Sequence, residues 1–253
     1  MELKTWENSK ETLDNMIANV EKANHKLLYL TKYGSHLYGT STENSDTDFK
    51  GIFLPNKQDC LLGKVCKHFT FSTGESESKN NKDDIDVQLW SLQYWMTLVN
   101  KGETNSLNLL YSFTYPEMIF YMDSRMKNIF ENHNKLYTTN DCNAHVGYAK
   151  GNMKKYSHME KLNLTCELRD FKSLSHVLRV VDEMIMLLKD GMIQYPLHSA
   201  KKLLDVKKGK YTWKEIESMV FDGLKKVDDL RIKGKSLNKL DRSFIDKEIL
   251  KFY

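Results

Sequence analysis

Gly34-Ser35-His36-Leu37-Tyr38-Gly39-Thr40, followed by Ser45-Asp46-Thr47-Asp48-Phe49-Lys50-Gly51, sets a glycine-serine turn ahead of two carboxylates spaced i, i+2. On a strand, residues two apart point to the same face, so Asp46 and Asp48 would present both carboxylates to one place in space. Clustered anionic oxygens suit Mg²⁺, which usually shares such a site with substrate phosphates. A Gly-Ser turn offers free backbone N–H groups and a hydroxyl, the groups that cradle a phosphate. A phosphate holder and a metal holder in one short segment predict a nucleoside triphosphate site. Two acids in a polar loop are common and say little alone; the complete string, with its Gly-Ser and Gly-Thr steps, is far more specific.

Outward from this segment, the hydrophobic periods sort the chain into two halves. Lys26–Tyr33 reads as a buried strand that runs into the Gly-Ser turn, and His36–Gly39 as a short helical turn. Thr47–Leu54 is a second strand, stopped by Pro55-Asn56; Lys67–Phe71 and Ile85–Trp90 are two more, and Ser72–Asp84 between them is polar enough for a mobile loop. A helix over 6–25 precedes the strands. The period changes at Leu92, Trp95, Met96 and Val99, and after Pro116 everything reads as helix, over 117–133, 140–161, 166–190, 199–206, 212–231 and 241–251. The predicted fold is α+β: a small mixed β-sheet core with flanking helices over residues 1–115, then an all-helical domain over 116–253, with the boundary near Tyr115.

Composition narrows the class of protein. A chain of 253 residues, 40% hydrophobic and 28% charged, suits an ordinary globular protein. No apolar run approaches the roughly 18 residues that span a membrane, and the first residues have neither a basic start nor an apolar core, so neither a membrane segment nor a signal peptide is expected. Cys60, Cys66, Cys142 and Cys166 form no Cys-x-x-Cys pair and read as free thiols of a cytoplasmic protein. Three prolines and abundant Lys and Asn suit an AT-rich genome such as a phage's, in which case the compartment is the host cytoplasm. Charge is uneven: residues 1–115 hold 12 Lys/Arg against 15 Asp/Glu, and residues 116–253 hold 26 against 19. An acidic half beside a basic half fits an enzyme of polyphosphate substrates, although basic helices can equally be plain solvated surface.

The Gly-Ser, short helix, Asp-x-Asp arrangement resembles the signature of the DNA polymerase β-like nucleotidyltransferase superfamily, and the ten residues between Ser35 and Asp46 fit its spacing. The resemblance implies a third acid on a neighbouring strand. Asp84 and Asp86 share a face by strand parity, with Asp83 opposed. Asp86, on the strand that feeds the next helix, is preferred; Asp84, at the loop edge, stays open as the alternative. Asp46, Asp48 and Asp86 would then be the catalytic and metal-binding set for Mg²⁺ or Mn²⁺, two ions in all, and Gly34 and Ser35 would hold the β- and γ-phosphates of an NTP such as ATP. Further segments are similar to nucleotidyltransferases of the YcgL type from bacteria and phages. They are Asp86–Leu92, Lys101-Gly102, Leu107–Leu110, Gly147–Lys150, Lys154-Lys155, Lys172-x-x-x-His176-x-x-Arg179, Gly191, Pro196-Leu197 and Leu203–Gly209. Glu103-Thr104 and Asn108 depart from that pattern, where Asn-Pro and an acid are expected, which leaves any acceptor contact by that loop open.

Lys172, His176 and Arg179, at i, i+4 and i+7, share one helix stripe, with Leu174, Val177, Leu178 and Val181 on the other side. Three cationic or donor groups in line suit a triphosphate or a nucleic-acid backbone, and with the resemblance they are assigned to nucleotide binding. Lys150 and Lys154 form a weaker second stripe. The expected activity is Mg²⁺-dependent transfer of a nucleoside monophosphate from an NTP to an acceptor hydroxyl, on a nucleic-acid end, a protein or a small molecule, with loss of pyrophosphate. Two other functions are compatible with the residues. One is a helical ribonuclease-like module built on Arg169 and His176; the other is a non-catalytic nucleotide-binding or antitoxin-like protein.

Overall fold

Strand β1 (Lys26–Lys32) is apolar on both sides because it lies inside a sheet covered on both faces. In this computed structural model, which describes residues 2–73, 84–161, 168–234 and 236–253, it follows helix α1 (Glu2–Lys22) and leads into the one-turn helix α2 (Gly34–Tyr38). Strand β2 (Thr47–Leu54), the short helix α3 (Lys57–Leu61), strands β3 (His68–Ser72) and β4 (Ile85–Ser91), and helices α4 (Leu92–Asn100) and α5 (Thr104–Tyr111) come next. The order across the sheet is β3-β4-β2-β1-β5; β2 and β4 run parallel and every other pair antiparallel, so the sheet is mixed, as expected. Most of the Ser72–Asp84 loop, Asp83 and Cys166 lie outside the described residues.

One expectation fails at β5 (Ile119–Met122), which falls in the stretch read as helix over 117–133. Four apolar residues in a row, Ile-Phe-Tyr-Met, carry no period of their own, and here an open strand edge decides between the two readings. Pairing with β1 (Tyr29 with Met122, Leu30 with Tyr121) satisfies the backbone groups of that edge. Helix resumes in α6 (Met126–Glu131), α7 (Asn143–Lys161), α8 (Leu168–Asp190), α9 (Ala200–Lys207), α10 (Trp213–Lys233) and α11 (Arg242–Leu250). The α10 start is fixed by a capping box, in which the Thr212 side chain and Glu215 each satisfy the other's backbone N–H. None of the described helices is long and apolar enough to cross a membrane.

The period-2 alternation in β2 and β4 gives the sheet two unlike faces. Phe49, Phe53, Val87 and Leu89 turn toward Leu13, Met16 and Val20 of α1 in one apolar cluster. Ile52, Leu54 and Trp90 turn the other way, into a larger cluster that takes in Leu174, Val177 and Val181 of α8 and Val220 and Leu224 of α10. Asp48 and Lys50 share the parity of Ile52, and Asp86 that of Trp90. The polar ends of these strands therefore face the helical half of the chain.

Candidate active site

Residues from both ends of the sequence meet in one cleft of about 280 Å³: Gly34, Ser35, Asp46 and Asp48 beside the sheet, Lys172, His176 and Arg179 on α8, and Lys207 at the end of α9. Seven of the eight residues assigned to the site from sequence thus line a single pocket. The eighth, Asp86, lies in register with Asp48 across the parallel β2–β4 pair and lines an adjoining cleft of about 270 Å³, with Asp48 and Lys50 on the shared wall.

Local chemistry explains how the Gly-Ser segment is held. The Tyr33 N–H donates to the Asp48 carbonyl (2.8 Å), which fixes the turn beside β2, and the Thr40 N–H donates to the Ser35 carbonyl (2.8 Å), which closes α2. Gly34 has φ +62°, and a Cβ there would run into the Asp48 carboxylate, so glycine is required on both counts. Gly39, at φ +77°, lets α2 end against Pro196 and Ala200. The Leu197 N–H donates to the Tyr38 carbonyl (3.3 Å), so the loop before α9 is tied to the Gly-Ser segment.

The acids are mutually repelling. Burial raises the Asp48 pKa above the ordinary carboxylate value, and Asp46 and then Asp86 push it further in the same direction, against Lys50 and Lys172. Among the described residues, no three His, Cys, Asp or Glu side chains already close on one point as a metal shell. The residues nevertheless fit a divalent cation in donor chemistry: hard carboxylate oxygens, two on one pocket wall and a third in register beside them, with a repulsion at Asp48 that a cation would relieve. Asp84, the alternative third acid, is buried before β4, and its carbonyl accepts from the Thr47 N–H (3.2 Å).

The α8 stripe is more differentiated than a row of three cations. Lys172 stands exposed at the rim. His176 is pushed down to about 4 by burial and then by Arg179, Lys172 and Lys207, so it is neutral at pH 7. Arg179 is buried; its Nη1 donates to both carboxylate oxygens of Glu183 (2.7 and 2.9 Å), and its guanidinium lies 4.2 Å from the Tyr38 ring centroid. The Tyr195 hydroxyl also donates to Glu183 (3.1 Å), and the Asn108 amide, turned with its oxygen toward Arg179, accepts from Nη1 at 2.7 Å. Asn108 therefore belongs to a buried polar network, and Glu103 caps α5 by accepting from the Asn105 and Ser106 N–H groups. Arg169 has no described side chain.

Lys50, Tyr33, Thr40, Asn105, Ser175 and Lys207, none of them assigned to the site from sequence, also line the cleft. Lys50 was within reach, because it is two residues beyond Asp48 on a strand and so on the same face. Its ammonium sits 4.2 Å from the Tyr33 ring centroid and 5.2 Å from that of Trp90, and burial pulls its pKa down to about 8 against the pull of Asp48 and Glu103. Lys207 lies in a segment that resembles the YcgL type, but no spacing rule connects α9 to α2.

A mixed sheet with a Gly-Ser turn beside an Asp-x-Asp strand, faced across one cleft by Lys172, Arg179 and Lys207, is the arrangement expected of the DNA polymerase β class. Residues 9–251 match the RNA repair pathway DNA polymerase beta family, and the chain belongs to it. It is 37% identical over 171 residues to an uncharacterized 38.9 kDa protein in the nrdC-mobD intergenic region of Enterobacteria phage T4, a match over 67% of this chain and 49% of that protein. The matched part thus spans about half the length of that relative. A nucleotidyltransferase-like protein from Exiguobacterium sibiricum aligns over 81% of this chain and 69% of its own at 8% identity, with a TM-score of 0.34.

Proposed function

We propose that this cleft binds an NTP with a divalent cation and transfers its nucleoside monophosphate to an acceptor hydroxyl, with pyrophosphate as the leaving group. The observation that carries the reading is the meeting of Gly34, Ser35, Asp46 and Asp48 with Lys172 and Lys207 in one pocket, although some 120 or more residues separate the two groups. Lys172 and Lys207 supply positive charge to the triphosphate from the helical side. Gly34 and Ser35 offer first-turn N–H groups that have no partner inside so short a helix. Lys50, its ammonium beside the Tyr33 and Trp90 rings, holds a positive charge close to Asp48. Asp46, Asp48 and Asp86 would hold Mg²⁺ or Mn²⁺, two ions in all, which would neutralise phosphate charge and make the acceptor hydroxyl easier to ionise. Asp86, in register with Asp48 on the neighbouring strand, would take the hydroxyl proton. Arg179 acts through Tyr38 and Glu183 as a positioning residue. The reaction belongs in the cytoplasm, or in the host cytoplasm for a phage protein.

Calorimetric titration with ATP tests the phosphate half of this reading. Removing Lys172 and Lys207 together (Lys172→Ala/Lys207→Ala) weakens ATP binding by about 30-fold, on the order of 2 kcal/mol for two charge-assisted contacts, and leaves adenosine binding unchanged. Equal ATP affinity in the variant and the wild type contradicts the assignment.

A further inference from the structure

A second, larger cleft of about 420 Å³ lies between α7 and α10, lined by residues with no part in the active-site pocket. On α7, Val146, Ala149, Met153 and Tyr156 face inward and are buried. Lys150, Lys154 and His158 run along the helix at i, i+4 and i+8, one step every 6 Å or so along its axis. The two lysines and His158 are exposed, and Ser157 beside them adds a hydroxyl. Opposite them stands Phe221 of α10, 55% exposed. The buried side of α10 is Ile216, Val220, Leu224 and Val227, so Phe221 stands beside the core stripe with its ring toward the cleft and water. Leu224 and Met153 make an apolar floor. None of the described lining residues is acidic, and residues 116–253 carry a net charge of +7.

We infer that this groove holds a single-stranded nucleic-acid segment, with its phosphates along Lys150 and Lys154 and a base stacked on Phe221. A cationic row facing an open aromatic ring is the combination that binds unpaired strands, because every base has a π-face and every phosphate a charge, whereas a duplex keeps its bases stacked on one another. An apolar partner surface would leave two lysines and a histidine facing nothing of opposite charge. An acidic strand is complementary to the rim and the floor together. Both α7 and α10 pack on α8, whose Lys172–Arg179 edge lines the active-site pocket, so one helix connects the groove to the catalytic cleft. Naming the strand as the acceptor rests on the nucleotidyltransferase reading; strand binding itself does not.

The test is fluorescence anisotropy with a 12-nucleotide labelled RNA, the matching DNA strand and the RNA duplex, using the full chain at low salt, with ATP titrated in parallel. The wild type is expected to bind the single strands more tightly than the duplex. Phe221→Ala weakens single-strand binding about tenfold. Lys150→Gln/Lys154→Gln lowers the steepness of log K against log salt by about 1.4, from two lost phosphate contacts. ATP affinity stays at the wild-type value in both variants, since none of these residues lines the active-site pocket. The RNA and DNA arms show which sugar the groove prefers. If the wild type binds strands with this pattern but does not bind ATP, the groove stands and the nucleotidyltransferase reading falls. Equal strand binding by wild type and variants overturns the inference, and so does tighter binding of the duplex. A wild type that binds no strand but forms a dimer dispersed by Phe221→Glu also overturns it, because a second copy then occupies the groove.

Discussion

Asp48→Asn abolishes transfer of label from α-³²P-NTP to any acceptor in a cell extract, by about 10³-fold or more, and at the same time yields a protein that melts at a higher temperature than the wild type. The two effects share one cause. Asp48 is held among Asp46, Asp86 and a desolvating pocket, and this raises its pKa. A carboxyl with a folded pKa above its unfolded value binds more protons in the folded state, so its contribution to stability is fully present below the unfolded pKa and is lost as pH rises through the folded one. The neutral amide carries no such loss. The gap in melting temperature between variant and wild type, measured in EDTA, should therefore be open at pH 7 and narrow as pH falls through the carboxylate range. Retained transfer would remove Asp48 from the chemistry. A lower melting temperature at pH 7 would show that the carboxylate is needed for folding and not for its charge at the site.

Glu183→Ala is expected to be the most destabilising single change near the site. It leaves the buried Arg179 guanidinium without its carboxylate and also takes the acceptor from the Tyr195 hydroxyl. Breaking one side of a buried ion pair costs about 3–5 kcal/mol, which for a chain of this size lowers the melting temperature by roughly 10 °C. Replacing both partners by apolar residues of similar volume, in Arg179→Met/Glu183→Leu, should recover most of that loss, because no charge then remains buried and unpaired. The double variant should still bind ATP less tightly, since Arg179 stacks on Tyr38 in the wall of the pocket. Thermal melts and ATP titrations of the three proteins decide it. A loss below about 1 kcal/mol in Glu183→Ala, or a double variant no more stable than the single one, contradicts the network described here.

What the chain discloses before folding follows from the range of the interactions. The Gly-Ser turn and the Asp46/Asp48 pair could be read because strand parity and turn chemistry act over a few residues. The register that sets Asp86 beside Asp48 follows from parity plus one parallel pairing. The same local logic fails at Ile119–Met122, where the open edge of β1, some 90 residues earlier, makes a strand of a segment without a period. It is incomplete at Arg179: helix spacing puts it in line with Lys172 on the pocket wall, but only tertiary packing brings in Tyr38, Asn108 and Tyr195 and pairs the guanidinium with Glu183. Lys207 reaches the pocket because the loop at Leu197 is tied to Tyr38, a link between distant segments that no spacing reveals.

Asp46, Asp48 and Asp86 are proposed to act on one bound nucleotide through divalent cations. Anomalous diffraction from crystals grown with Mn²⁺ and a non-hydrolysable ATP analogue tests it most directly. The expected result is Mn²⁺ density in contact with oxygens of Asp46 and Asp48 and with the triphosphate, Asp86 turned toward the same density, and the phosphates lying between Gly34-Ser35 and Lys172. Nucleotide bound in that cleft with its manganese on other residues, or Mn²⁺ absent from all three carboxylates, would contradict it.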